Sequence, residues 1–110
     1  MANYNDVIQI LKNDFNNLNG EKSLTELNDR LYIEIQNDSK LLKLMDKRDP
    51  ASIWQAIQIG SCQLISGILK FNEKPAHVNF LLLKQAIKAV FNVDFVEAFS
   101  NTFNWYYKTR

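Results

Sequence analysis

The sequence predicts an all-α protein: an antiparallel up-down four-helix bundle with an additional C-terminal helical segment. Three observations carry this prediction. Apolar residues recur at helical spacing along four long stretches, and those stretches begin at Ser, Asp or Pro signals. Only two prolines and three glycines occur, placed where helices begin or end, and no strand-like alternation lasts more than a few residues. The links are short enough for antiparallel neighbours, and a chain of 110 residues supports one core, so a single domain over residues 1–110 is expected.

The first helix is read from about Asn5 to Leu18, with Val7, Leu11, Phe15 and Leu18 on one face and Asn19-Gly20 as a left-handed stop. Ser23-Leu24-Thr25-Glu26 has the spacing of a capping box, in which the Ser hydroxyl and the Glu carboxylate each satisfy a free backbone N–H. From it a second helix runs with Leu24, Leu27, Leu31 and Ile35 facing inward. Asn37-Asp38-Ser39 interrupts the pattern before a short apolar stretch, Leu41 to Met45, read as a further turn or two of helix.

Asp49-Pro50 is the clearest start signal, with Asp as N-cap and Pro at the first helical position, where its missing N–H costs nothing. The helix it opens should reach about Lys70, with Ile53, Trp54, Ile57, Leu64, Ile65 and Ile68 on one arc and Ser52, Gln55, Gln63 and Ser66 opposite. No charged residue lies between Pro50 and Leu69. That run has the length of a membrane span, but Gln55, Gln58, Gln63 and three serines would be costly in lipid. The expected setting is a helix either enclosed by its neighbours or kept for a partner.

Phe71 to Ala76 should connect to a fourth helix from about His77 to Phe91, with Phe80, Leu83, Ile87 and Val90 inward and Leu81 and Leu82 widening that face. Asn92-Val93 weakens it, and Asp94-Phe95-Val96-Glu97 offers a second capping box from which the tail re-enters helix.

Composition excludes several kinds of chemistry. Thirteen Lys and Arg against twelve Asp and Glu leave a net charge of +1, far from the basic excess of a general nucleic-acid binder. One Cys and one His give almost no raw material for structural zinc, a disulfide framework or a Cys/His pair. His77 has Leu81 rather than a carboxylate at i+4, and Cys62 lies on a helix without a neighbouring base, so both read as structural. The carboxylate groups Asp46/Asp49, Glu26/Asp29/Glu34 and Asp94/Glu97 stand beside helix termini or on mixed-charge faces. No phosphate loop, nucleophile elbow or metal-binding helix motif occurs. We therefore expect no catalytic residues, no metal, no cofactor and no enzymatic activity. The opening residues lack the basic start and apolar stretch of a secretory signal, and a lone Cys62 fits a reducing interior, so a cytoplasmic location is expected.

The two halves differ. Residues 1–55 hold seven Lys/Arg and nine Asp/Glu, residues 56–110 six and three, and nine of thirteen aromatics lie in the second half. Phe91, Phe95, Phe99, Phe103 and Tyr107 recur at every fourth position, a spacing that suits a core-facing stripe. The end, Trp105-Tyr106-Tyr107-Lys108-Thr109-Arg110, covers every direction of a helix and cannot all be buried. Aromatic rings beside cations mark a protein-contact hot spot or a membrane-interface anchor. The expected partner surface is Phe99, Phe103, Trp105, Tyr106, Tyr107, Lys108 and Arg110. If so, deleting Trp105 to Arg110 should remove activity and leave the fold intact.

The layout resembles the small immunity proteins that protect producers of pediocin-like (class IIa) bacteriocins, the enterocin A immunity type of Gram-positive bacteria. The resemblance lies in the opening helix Asp6-Val7-Ile8-Gln9-Ile10-Leu11-Lys12-Asn13-Asp14-Phe15, a second helix through Leu27 to Ile35, a third starting at Asp49-Pro50, and Ile68-Leu69-Lys70-Phe71 leading into the fourth. It implies an antiparallel four-helix bundle that acts without catalysis, recognising from the inside a mannose-type sugar permease with bound bacteriocin. It also implies that specificity sits in the C-terminal half, here Phe80 to Arg110. Asp49-Pro50-Ala51-Ser52-Ile53, a long apolar helix and a Phe-rich end also resemble phage morphogenesis proteins such as tail assembly chaperones. A small regulator or inhibitor gripping one protein partner is the remaining alternative. Peripheral membrane contact stays open, and the oligomeric state is not legible.

Overall fold

The computed structural model describes residues 2–15 and 20–108. Among them the chain forms seven helices and one small hairpin, in the order α1 (Tyr4–Phe15), α2 (Gly20–Gln36), α3 (Ser39–Asp46), α4 (Pro50–Ile68), β1 (Lys70–Phe71), β2 (Lys74–Pro75), α5 (Phe80–Phe91), α6 (Phe95–Ala98) and α7 (Ser100–Lys108). The protein is thus mostly helical, as expected, but the number of elements exceeds four helices and a tail. The apolar stretch at Leu41 is a helix in its own right, and the C-terminal segment is two helices rather than one.

Helix starts follow from short polar side chains that satisfy the first free N–H groups. Asp49 Oδ1 accepts the Ser52 N–H at 2.9 Å, and its Oδ2 accepts the Ser52 hydroxyl at 2.9 Å. The Ser52 backbone hydrogen bond, aided by that hydroxyl, holds the Asp49 carboxyl below its ordinary pKa. Asp94 Oδ1 accepts the Glu97 N–H at 2.8 Å, Asn79 Oδ1 the Leu82 N–H at 2.8 Å, and Asp38 Oδ1 the Lys40 N–H at 2.9 Å. At the start of α1, Asn3 and Asp6 cap each other: each side chain accepts the other's N–H, at 2.9 and 3.2 Å.

Other boundaries differ from expectation. Helix α2 is already under way at Gly20, so Gly20 opens a helix instead of stopping one, and Ser23 lies inside it. The Leu18 and Asn19 part of the first reading, and the Ser23 side chain, lie outside the described residues. Helix α5 starts at Phe80, not near His77, because Asn79 supplies the cap. The hairpin was not anticipated. Its turn, Asn72-Glu73, has φ of 52° and 66°, the two left-handed residues that a two-residue loop of this hand needs. Glycine is the usual second residue there, and its absence hid the turn.

The buried side chains form one cluster fed by every helix. Val7, Leu11 and Phe15 of α1, and Leu27, Leu31 and Ile35 of α2, are at most 2% exposed, as their spacing predicts. Helix α4 packs against α1, α2, α3, α5 and α7 and so lies at the centre. Ile53, Ile57, Leu64 and Ile65 are buried as read; Trp54 and Ile68 are half-buried. Gly60 is buried as well, and there α4 comes so close to α2 and α3 that an added Cβ would lie 3.0 Å from Leu31 Cδ1 and 3.3 Å from Leu41 Cδ1. On α5, Leu83, Ala86 and Ile87 are buried, whereas Leu81 is 64% exposed and does not widen the inner face.

The uncharged side of α4 has a structural use. Residues 76–78 run along it as an extended strap: the Ala76 N–H donates to the Leu69 and Ser66 carbonyls at 2.7 and 3.2 Å, and the Val78 N–H donates to Ser66 Oγ at 3.1 Å. The Ser66 hydroxyl oxygen accepts this N–H, which a lysine ammonium, having no acceptor, could not do. No helix among the described residues is long and apolar enough to cross a membrane.

Candidate binding surface

The residues expected to form a partner surface separate into three environments. Phe99 and Tyr106 are 0% and 1% exposed, so these two belong to the core, not to a contact surface. Phe103 is half-buried, stacked on Trp54 at 4.9 Å between ring centroids with planes 10° apart, and on Tyr107 at 5.3 Å. Trp105 and Tyr107 are 46% and 45% exposed, and Lys108 is exposed. Arg110 lies outside the described residues.

The fourfold spacing of aromatics turns out to be a relay across several elements. Left-handed Asn92, with φ of 59°, ends α5, and α6 and α7 follow as separate helices. Phe95 then meets Phe80 edge-on at 4.8 Å, Phe99 at 4.8 Å and Trp54 at 6.3 Å, while Phe103 continues the line to Tyr107. Edge-to-face and offset pairs of this kind add to the burial of the rings themselves. The inner rings of this line fix the height at which α7 presents the outer ones.

Two further ties hold α7 to α2. The Asn28 amide is 6% exposed and makes four hydrogen bonds. Its Nδ2 donates to the Leu24 and Ala98 carbonyls, both at 2.8 Å, and its Oδ1 accepts the Thr102 N–H at 3.1 Å and the Thr102 hydroxyl at 2.6 Å. Two donors and two acceptors fill the capacity of an asparagine side chain. Near the other end of α7, Gln36 Nε2 donates to the Tyr106 hydroxyl, so this buried ring keeps its polar tip satisfied.

On the surface above these ties lies a residue the sequence reading missed. Tyr32 of α2 is 37% exposed; its ring meets Trp105 edge-on at 5.8 Å and stacks on Tyr106 at 6.0 Å. Tyr32 stands outside the Leu27-Leu31-Ile35 stripe, and its sequence carries no sign that a ring some seventy residues on will join it. A cleft of about 400 Å³ beside this pair is lined by Asn28, Asp29, Tyr32, Asn101, Thr102 and Trp105.

A larger open cleft of about 800 Å³ lies over the uncharged side of α4, with Gln58, Cys62, Gln63 and the strap residues Ala76, His77 and Val78 among its walls. Burial pushes the Cys62 thiol up to about 11, which keeps it protonated and a poor nucleophile near neutral pH. His77 is exposed on the rim. Among the described residues no group of three or more His, Cys, Asp or Glu is placed to hold a metal ion. Helices α2 and α7 carry the exposed rings Tyr32, Trp105 and Tyr107.

The chain matches no family model, no curated protein and no solved structure. Its functional reading rests on the geometry of this surface and on the helix layout.

Proposed function

We propose that the protein is a non-catalytic protein-binding module, and that it serves as a bacteriocin immunity protein blocking a toxin–permease complex from the cytoplasmic side. The observation that carries the binding reading is the alternation along α7. Tyr106 is 1% exposed while its neighbours Trp105 and Tyr107 are 46% and 45% exposed. A ring locked in the core holds two rings out in water, at a cost that burial against a partner removes. The asparagine and tyrosine ties below them mean that little conformational freedom remains to be lost on binding.

The immunity assignment draws on the layout. The long helices α1, α2, α4 and α5 follow one another as in the pediocin-like immunity proteins the sequence resembles, and would be the four of that antiparallel bundle. The binding surface uses α7, within the C-terminal region that specifies the cognate toxin in that family.

The test is affinity capture of the tagged protein from detergent-solubilised membranes of its own host, with and without co-expressed bacteriocin, read by mass spectrometry. Toxin-dependent recovery of sugar-permease subunits supports the assignment. Recovery of phage tail components, or of one soluble partner without permease, replaces it with the phage-assembly or regulator alternative.

A further inference from the structure

Helix α3 carries its cations as a row. At about 100° per residue, Lys40, Lys43 and Lys47 fall within roughly 60° of one another, on the side turned away from buried Leu41 and Met45. All three are exposed, and so is Arg48, which follows them. Lys47 is the C-cap and keeps helical backbone, with φ of −66° and ψ of −23°, so the row runs unbroken for about 10 Å. The acidic residues of this segment stand off the row. Asp38 and Asp49 sit at helix starts, where their carboxylates accept the Lys40 and Ser52 N–H groups, and Asp46 lines a cleft with Tyr32 and Trp105.

The row works against the helix that carries it. Lys40 and Lys43, and Lys43 and Lys47, are like-charged neighbours at i,i+3 and i,i+4 spacing, which weakens a helix. The helix dipole favours cations near the C-terminus and so accounts for Lys43 and Lys47, but Lys40 lies in the first turn, where it opposes the dipole. Arg48 has φ of 57°, in the left-handed position past a helix end where glycine or asparagine is the usual choice. An anionic counter-surface relieves the repulsion and gives the arginine a use.

We propose that the outer face of α3, with Lys40, Lys43, Lys47 and Arg48, docks on the anionic headgroups of a bilayer. The row is straight and lies on the convex side of a helix, a shape suited to a flat charged surface. Each cation held near such a surface is worth about fivefold in affinity, so four of them make a reversible contact, not a permanent anchor. A net charge of +1 over the whole chain speaks against a nucleic acid. The choice of lipid over an acidic protein rests on the reading above, in which the partner sits in a membrane. Leu42 and Asp46 of the same helix wall the cleft beside Tyr32 and Trp105, so docking α3 brings the aromatic surface to the edge of the bilayer.

The test floats the full-length protein with vesicles of phosphatidylglycerol and phosphatidylcholine, and with vesicles of phosphatidylcholine alone, at low and high salt. Wild type should float with the anionic vesicles at low salt, leave them at high salt, and ignore the neutral ones. The Lys40→Gln/Lys43→Gln/Lys47→Gln variant, with an unchanged circular-dichroism spectrum, should bind at least about tenfold more weakly. Lys84→Gln/Lys88→Gln, which alters two exposed lysines of α5, should stay within about twofold of wild type. Arg48→Gly should melt at a higher temperature and yet bind about fivefold more weakly. Four results overturn the proposal: no flotation with anionic vesicles at low salt, equal flotation with neutral ones, a triple variant that loses no more than the α5 variant, or tighter binding to a hexa-glutamate peptide than to the vesicles. Capture from detergent-solubilised membranes involves no bilayer and so separates this inference from the function proposed above. Capture of a permease without flotation keeps the immunity reading and removes the lipid contact. Flotation without capture keeps the lipid contact and removes the permease.

Discussion

Asn28 Oδ1 accepts both the backbone N–H and the hydroxyl of Thr102, at 3.1 and 2.6 Å, across 74 residues of chain. The same amide donates to the carbonyls of Leu24 and Ala98, so one buried side chain joins α2 to the α6–α7 corner. Removing it strands several buried polar groups at once. Asn28→Ala should cost at least about 1–3 kcal/mol, and Thr102→Val, which loses only the hydroxyl, about 1 kcal/mol. Urea denaturation of the two single variants and the double variant should show non-additive losses, since the residues share one network. Additive losses would mean that the pair is not coupled in solution.

The turn at Asn72-Glu73 places a glutamate at φ of 66°, where a β-carbon crowds the following carbonyl. Glu73→Gly should raise stability by about 1 kcal/mol, read from denaturant midpoints. No change would show that the hairpin opens independently of global unfolding.

Two glycines of α4 should respond in opposite ways. Gly67 has open space where a Cβ would go, so Gly67→Ala should gain about 0.5–1 kcal/mol from helix propensity. At Gly60 the neighbouring Leu31 and Leu41 methyls leave no room for a branched side chain, and Gly60→Val should cost about 1–3 kcal/mol. Thermal melts of both variants decide the matter.

The half-buried Cys62 thiol carries a pH dependence. Because burial raises the Cys62 pKa from 9.0 to about 11, the folded state holds its proton where the unfolded chain has released it. Stability linked to this group is complete below pH 9 and declines as pH rises toward 11. Wild type should therefore lose more stability than Cys62→Ala between those values, and iodoacetamide should alkylate the native thiol more slowly than a free one. Equal slopes for the two proteins would contradict the assignment.

Much of this fold was legible in residue spacing, because burial on one face imposes a period that the chain must display. The stripes Val7-Leu11-Phe15 and Leu27-Leu31-Ile35, the Asp49 cap and the Asp94 cap are local features and were read as such. What was missed is long-range or chemically disguised. The hairpin turn uses Asn-Glu where Asn-Gly would announce it, and Gly60 looks like a weak helix residue until the helices packed over it are known. The candidate surface was half legible: a run of three aromatics must expose some of them, but which ring turns inward depends on how α7 lies against α2. Hence Tyr106 and Phe99 moved to the core, and Tyr32 joined Trp105 from another helix. For the same reason, deletion of Trp105 to Arg110 should not spare the fold, since it removes a buried tyrosine.

The central claim is that α7 keeps its folding ring and its binding ring on adjacent residues. Its most direct test is to compare Trp105→Ala with Tyr106→Ala in thermal melts and in membrane capture from the host. Trp105→Ala should lose only about 0.5–1.5 kcal/mol, stay folded and lose the captured partner, while Tyr106→Ala should lose about 3–5 kcal/mol of stability. Full capture by a folded Trp105→Ala protein would contradict the claim.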